Sequence, residues 1–250
     1  MKKIILTLVL LASISAHARE TASSNSTPKF RDCPQFFAGA TSPRVNKSFQ
    51  VAPRALCYQS FAILYSGVSK TPVFVAERLN RAQLEDAKDE KRTNRFFADA
   101  RLRKAERAEL DDYKGSGFDR GHMAPAGDMP TARAMAQSFS LANMVPQAPK
   151  NNQKAWNGIE QATRKYVMRA KGDVYVISGP VYEGKPKTIG RHRVWVPKYL
   201  YKLVYDPATG RGWAHWIENT DQARASKPIS YDELVRRTNI EFLPTAKVIG

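Results

Sequence analysis

The sequence predicts an α+β fold, a single domain in which a central, mostly antiparallel sheet is flanked by helices. Strand-like and helix-like segments are mixed along the chain without regular alternation, and the connections between them vary in length. The composition is that of a globular protein, since 42% of the residues are apolar and 25% are charged. These proportions exclude a collagen-like, coiled-coil or wholly disordered chain.

Local patterns predict the individual elements. Runs rich in β-branched and aromatic residues predict strands over residues 58–65, 72–76, 173–178, 194–205 and 212–217. Helix signals cover residues 80–88, 152–170 and 230–238. Ser230 and Glu233 are spaced as a capping box at the start of the last helix.

The first residues have the features of a cleavable export signal. Two lysines precede a mostly apolar run over residues 4–14, and a small-x-small pattern follows from Ala16 to Ala18. The run is too short to span a bilayer, and no other stretch approaches ~18 apolar residues. We therefore expect a signal peptide over residues 1–18, a disordered leader over 19–27 and a domain over 28–250. We also expect export to the periplasm or the medium, with no membrane insertion of the mature chain.

The chain contains two cysteines, Cys33 and Cys57. An even number of cysteines in an oxidising compartment favours a disulfide. Closing this loop would contribute about 3 kcal/mol in the loop-entropy model. A catalytic cysteine is the alternative, but neither cysteine lies in a Cys-x-x-Cys motif or beside a histidine.

The charge is strongly positive, with 40 Lys and Arg against 23 Asp and Glu and a formal net charge of +17. Removal of residues 1–18 would lower this charge only to +15, since the segment contains two lysines and no acid. Such a surplus indicates polyanionic partners. Nucleic acid, anionic membranes and acidic polysaccharides all remain open on charge alone.

Residues 118–129 (FDRGHMAPAGDM) form the most unusual stretch of the sequence. His122 lies in a polar, glycine-rich setting two positions after Arg120. In a strand the two side chains would share one face. We expect the nearby guanidinium to lower the His122 pKa and keep the imidazole neutral, as a general base requires.

A second polar pattern lies in the predicted helix 152–170, where Asn152, Trp156, Glu160 and Arg164 recur at intervals of four. These positions span about 120° of a helix surface. Trp156 would pack the helix against the rest of the domain. Asn152, Glu160 and Arg164 would then form a polar stripe, in which the amide and the carboxylate are oxygen donors suited to Mg²⁺. The alternative is a solvated face with a Glu160–Arg164 ion pair, which would contribute a few tenths of a kcal/mol.

Three motifs together resemble those of the DNA/RNA non-specific endonucleases, the sugar-non-specific nucleases of the ββα-metal (His-Me finger) class. They are DRGH at 119–122 followed by MAPAGD, Asn-Met-Val-Pro-Gln at 143–147, and N-x-x-x-W-x-x-x-E from Asn152 to Glu160. Their order and spacing match the family from about residue 72 to about residue 180. The resemblance implies a ββα-metal motif within the α+β domain. It also implies an Mg²⁺-dependent endonuclease, with Mn²⁺ as an alternative ion, that cuts DNA and RNA and leaves 5′-phosphate ends.

The resemblance also implies roles for individual residues. His122 would be the general base that activates water, and Asn152 would be the one direct protein ligand of Mg²⁺. Glu160 would hydrogen-bond the waters around the ion, and Asn143 would help to hold the site together.

The remaining implied roles concern phosphate and orientation. Arg120 and Arg164 would bind or neutralise phosphate. An upstream family arginine corresponds to Arg92, with Arg95 as the alternative assignment. Asp119 would be a structural orienter within the motif.

Two other functions compete with the exported endonuclease. The first is a catalytically inactive, exported polyanion-binding protein on the same fold. The intact His122, Asn152 and Glu160 argue against it, because an inactive protein need not keep all three. The second is a toxin-like nuclease controlled by a partner, and the sequence is compatible with an inhibitor protein.

Overall fold

The structure, a computed structural model, describes residues 30–45 and 52–250. The predicted signal peptide, the predicted leader and the first two residues of the predicted domain therefore lie outside the described residues. Within the described ranges, no helix is both long and apolar enough to cross a bilayer.

The described residues form thirteen strands and five α-helices. In chain order the strands are β1 (Arg44–Val45), β2 (Pro53–Cys57), β3 (Phe61–Ser66), β4 (Thr71–Leu79), β5 (Asp119–His122), β6 (Met144–Gln147), β7 (Val174–Val181), β8 (Thr188–Ile189), β9 (Val194–Trp195), β10 (Tyr199–Asp206), β11 (Arg211–Glu218), β12 (Ile229–Ser230) and β13 (Ile240–Glu241). The helices are α1 (Arg81–Asp86), α2 (Leu110–Tyr113), α3 (Ala132–Ser138), α4 (Asn157–Val167) and α5 (Tyr231–Thr238).

The main sheet has seven strands in the order β12-β11-β10-β7-β4-β3-β2, and every neighbouring pair is antiparallel. The α+β prediction is confirmed. Successive side chains point to opposite sides of the sheet, and both sides are covered. On the side that we call the α4 face, Val176 and Val204 pack with Val167 of helix α4. On the other side, the α5 face, Phe74 and Leu203 pack with Leu234 of helix α5.

The predicted elements are present, with two interruptions. The predicted strand 194–205 is broken between β9 and β10, where Pro197 cannot donate a ladder hydrogen bond. The predicted helix 152–170 begins with a π-helical segment, Asn151–Trp156, and its α-helical part ends at Val167. At the other predicted elements the boundaries differ by up to three residues. Strand β2 was not predicted. The Ser230 hydroxyl caps helix α5 by accepting from the Glu233 main-chain N–H, although the Glu233 carboxylate pairs with Arg236 and Arg237.

The predicted Cys33–Cys57 disulfide is present, with 5.8 Å between the two Cα atoms. It ties the first described segment to the edge strand β2. Both cysteines belong to the apolar cluster on the α5 face.

Candidate active site

Strands β5 and β6 pair antiparallel outside the main sheet and lead into the helix that begins at Asn151. Gln147 packs directly on Gly121, where an added Cβ would lie 2.6 Å from the Gln147 Cβ, so only glycine fits. Gln147 Nε2 donates to Asn151 Oδ1 at 2.8 Å, and Asn151 Nδ2 donates to the Glu218 carbonyl at 2.6 Å. The two strands, the helix start and the main sheet are thereby fixed to one another.

A cavity of about 390 Å³ lies between β5 and this helix. Six of the predicted site residues line it, namely Arg92, Arg120, His122, Asn152, Glu160 and Arg164. Arg120 and His122 share one face of β5, as the alternation of a strand requires. Arg95, the alternative to Arg92, is not among the residues that line the cavity.

His122 is 8% exposed. Its Nε2 is buried without a hydrogen-bond partner among the described residues, so Nδ1 is the ring nitrogen open to the cavity. Burial, reinforced by the positive charge of Arg92, lowers the pKa of His122 to about 3. The expectation that Arg120 would be the cation responsible was wrong. The imidazole is neutral at pH 7, which is the form that accepts a proton.

Two phenylalanine rings flank the imidazole. The Phe139 ring centroid lies 5.0 Å from that of His122, and the Phe96 ring centroid lies 5.8 Å from it. The Arg92 guanidinium lies over the Phe139 ring at 5.0 Å, and the Arg120 guanidinium lies over the Phe96 ring at 4.1 Å. The aromatic pair therefore contacts the imidazole and both guanidinium groups.

Asn143 is fully buried behind the cavity. Its Oδ1 accepts from the Ala124 N–H at 2.9 Å, and its Nδ2 donates to the carbonyls of Ala124 and Ser138, each at 2.9 Å. These bonds fix the chain two residues after His122. Asn143 is thus placed to hold the site together rather than to touch a ligand.

Asn152 is oriented by Asp119. The Asn152 Nδ2 donates to Asp119 Oδ2 at 2.9 Å, and Gln153 Nε2 donates to the same oxygen at 2.8 Å. An amide whose nitrogen is held in this way presents its oxygen on the other side. The carboxylate therefore sets which atom of Asn152 can bind a cation.

Glu160 lies one helical turn after Trp156 on the cavity side. Burial raises the pKa of Glu160 to about 7, although the Lys202 ammonium opposes the shift. Lys202 is 1% exposed, and its Nζ donates to the Ser178 hydroxyl at 2.7 Å. A buried cation therefore lies beneath the helix that carries Glu160.

Glu77 is a second buried ionisable residue on the α4 face. It is fully buried, and neither carboxylate oxygen has a hydrogen-bond partner among the described residues. Burial raises the pKa of Glu77 well above its usual range, Asp128 reinforces the shift and Lys202 opposes it. Burial therefore favours the protonated form of Glu77.

Arg164 pairs with Asp128, whose Oδ1 accepts from Nη1 at 2.9 Å. The alternative of a Glu160–Arg164 ion pair is therefore replaced by a pair with a residue of the HMAPAGD segment. Gly127 leaves room for the guanidinium, since a Cβ there would lie 3.3 Å from Nη1. Arg164 is thus held at the cavity wall.

Sequence reasoning missed several residues around the site. Asp128, Gln147 and Phe139 lie in or beside the motifs but were given no role. Glu77 and Lys202 had a detectable signal, because Lys202 is a charged residue within a predicted strand and Glu77 directly follows the predicted strand 72–76. A charge at such a position is rarely buried without a reason.

The donor set fits a hard cation held mostly by water. No group of three His, Cys, Asp or Glu side chains that could hold a metal is found in residues 30–45 and 52–250. The oriented amide of Asn152 and the carboxylate of Glu160 line one cavity. Mg²⁺ favours oxygen ligands and keeps several waters, so one protein oxygen with a nearby carboxylate suits it.

Several nucleases are similar to this chain in sequence. The human mitochondrial nuclease EXOG is 37% identical over 161 residues, covering 60% of this chain and 43% of EXOG. Human mitochondrial endonuclease G is 33% identical over 163 residues, covering 61% of this chain and 54% of that protein. A nuclease of Nostoc sp. is 32% identical over 200 residues, covering 73% of this chain and 70% of the nuclease. The match thus spans less than half the length of human EXOG.

A solved structure shows the same fold. A chain of the EndoG/EndoGI complex superposes with a TM-score of 0.70 at 23% identity, covering 78% of this chain and 88% of that one. The family model described as DNA/RNA non-specific endonuclease matches residues 39–248. With its ββα motif and cavity-lining DRGH histidine, the chain belongs to the DNA/RNA non-specific endonuclease family.

Proposed function

We propose that this protein is an exported endonuclease that hydrolyses the phosphodiester bonds of DNA and RNA without sequence preference and leaves 5′-phosphate ends. The proposal rests on one observation. The accessible Nδ1 of a neutral His122, the oriented amide of Asn152 and three guanidinium groups line the same cavity. The names of the relatives support the nuclease activity. The pattern of residues 1–18 supports export to the periplasm or the medium.

His122 acts on the attacking water. Its Nδ1 accepts a proton as the water oxygen bonds to phosphorus. The bond from phosphorus to the 3′-oxygen breaks, and that oxygen takes up a proton to become a hydroxyl group. The products are a 3′-hydroxyl end and a 5′-phosphate end.

The polar groups of the cavity address the phosphate. Arg92 and Arg120 offer planar guanidinium donors that match the geometry of phosphate oxygens. Arg164 adds positive charge at the wall of the cavity. Contacts to phosphate carry no sequence information, so this arrangement favours broad substrate choice.

Asn152 would hold Mg²⁺, or Mn²⁺ in its place, through its amide oxygen. Glu160 would fix the waters around the ion. When bound, the ion would supply positive charge that stabilises the phosphate and the leaving oxygen in the transition state.

A digestion assay tests the proposal. The protein without residues 1–18 is incubated with plasmid DNA and with RNA, in Mg²⁺ and in EDTA. We expect both substrates to be cut in Mg²⁺ and neither in EDTA. Salt-sensitive retention of DNA without cutting would instead favour the inactive polyanion-binding protein.

An inhibitor protein is a second proposed partner. The structural neighbour comes from a complex described as showing inhibition of EndoG by EndoGI. Titration of the active protein with extracts of its source, followed by the digestion assay, would detect such a partner as a saturable loss of activity.

A further inference from the structure

We propose that Phe139 is a positioning residue that sets the place of His122 relative to Arg92. The inference rests on the function proposed above, in which His122 is the base and Arg92 binds phosphate. It assigns a role to a side chain that cannot itself exchange a proton or bind a phosphate.

The geometry places one ring against both groups. The Phe139 and His122 rings meet edge to face, with 5.0 Å between centroids and 88° between planes. The Arg92 guanidinium lies over the same Phe139 ring at 5.0 Å. A guanidinium over an aromatic face is attracted by the negative charge of the π system, and an edge-to-face ring pair is favoured for the same reason.

The ring itself is held firmly. Phe139 is fully buried and meets Phe96 edge to face at 4.9 Å. Its carbonyl accepts from the Phe97 N–H at 3.2 Å, and its N–H donates to the Ala136 carbonyl at 3.3 Å. The backbone on both sides of the ring is therefore anchored, which makes the ring a fixed reference for the groups that contact it.

Arg92 needs such a reference. The residue is exposed and lies outside the helices and strands of the fold. Its other polar contact is local, since Nε donates to Asn94 Oδ1 at 2.7 Å. The Phe139 ring is thus the contact that joins Arg92 to the part of the site that carries His122.

The test replaces the ring by an aliphatic side chain, Phe139→Leu, with Phe74→Leu as the matched control. Both phenylalanines are fully buried, but Phe74 lies in the cluster on the α5 face. In Phe139→Leu we expect kcat to fall by about 10- to 100-fold, the scale of a misplaced reacting group, with a smaller change in KM. In Phe74→Leu we expect a similar fall in Tm but an unchanged kcat below it. If Phe139→Leu does not fold, Phe139→Met gives the same comparison.

A double-mutant cycle with Arg92→Met separates positioning from general packing. If the ring acts by placing Arg92, the fold-loss of kcat in the double variant is smaller, by at least about threefold, than the product of the fold-losses of kcat in the two single variants. Losses that simply multiply, or an unchanged kcat in Phe139→Leu, would overturn the inference. Failure of the proposed function is a different result, in which His122→Ala cuts as fast as the wild type.

Discussion

Both faces of the central sheet are covered, but they differ in polarity. On the α5 face, the cluster that includes Phe74, Tyr201 and Leu203 is apolar, and the Tyr201 hydroxyl donates to a carbonyl at 3.3 Å. The α4 face carries two buried ionisable residues, Glu77 and Lys202. It also carries buried polar atoms without hydrogen-bond partners in the described part of the chain, on Tyr65, Glu77, Trp156 and His215.

This difference separates the parts of the molecule that stabilise the fold from those that serve the site. An unpaired buried polar group costs about 1–3 kcal/mol of folding free energy. The α4 face therefore stabilises the fold less than an apolar face of the same size would. Burial raises the pKa of Glu160, and the Lys202 ammonium opposes that shift. The α5 face has no such task and contains the disulfide.

The largest effect is expected from His122→Ala, paired with Phe74→Ala on the α5 face. The first variant should lose at least about 10²-fold in cleavage rate, because the base is gone, while DNA retention survives. The second should lose about 3–5 kcal/mol of unfolding free energy and keep the specific activity of its folded fraction. Rates are measured on plasmid DNA and stability by urea unfolding. Loss of both properties in both variants would contradict the separation of the faces.

Opening the Cys33–Cys57 disulfide tests the α5 face alone. We expect the double variant Cys33→Ala/Cys57→Ala to lose about 3 kcal/mol of unfolding free energy, because the unfolded chain regains loop entropy. The cleavage rate at a temperature where the variant is folded should match the wild type. A thiol titration of the wild-type protein serves as the control, and two reactive thiols would contradict the pairing.

The parts of the site that the sequence predicted lie close together along the chain. Asp119, His122 and Asn143 lie in or beside strands β5 and β6, and Asn152 and Glu160 lie in the following helix. Strand alternation and helical spacing bring His122, Asn152 and Glu160 to one cavity, with Asp119 and Asn143 supporting it from behind. The cation beside His122 was assigned to Arg120, its neighbour in the sequence, whereas Arg92 is responsible. Such a contact depends on how an irregular segment folds back, which local periodicity does not encode. Local periodicity also does not encode the proximity of Glu77 and Lys202, because the pairing of β4, β7 and β10 brings them to the same region of the sheet.

A smaller effect is expected from Asp119→Ala. Without the carboxylate the Asn152 amide can rotate, and loss of such an orienting partner weakens metal binding by about 10–100-fold. We expect the Mg²⁺ concentration for half-maximal activity to rise accordingly, with little change in the rate at saturating Mg²⁺. Asp221→Ala is the matched control, because Asp221 accepts from the Lys150 N–H at the start of the same helix but makes no bond to Asn152. An equal shift in both variants would assign the effect to the helix start rather than to the amide.

The smallest effect is expected from Glu77→Gln, and it depends on pH. Burial raises the pKa of Glu77 in the folded protein and favours its protonated form, whereas the unfolded chain releases that proton above the ordinary pKa of about 4.3. The contribution of Glu77 to stability is therefore fully present below that ordinary value and declines as the pH rises toward the folded-state pKa. Glutamine is neutral at every pH, so the variant should become more stable relative to the wild type as the pH rises from 5 to 8. Urea unfolding at the two pH values measures this difference, and Glu233→Gln on helix α5 is the control.

A parallel pH dependence of stability in the wild type and in Glu77→Gln would contradict this expectation. It would mean that Lys202 keeps Glu77 ionised, so that the α4 face contains an ion pair instead of a protonated acid.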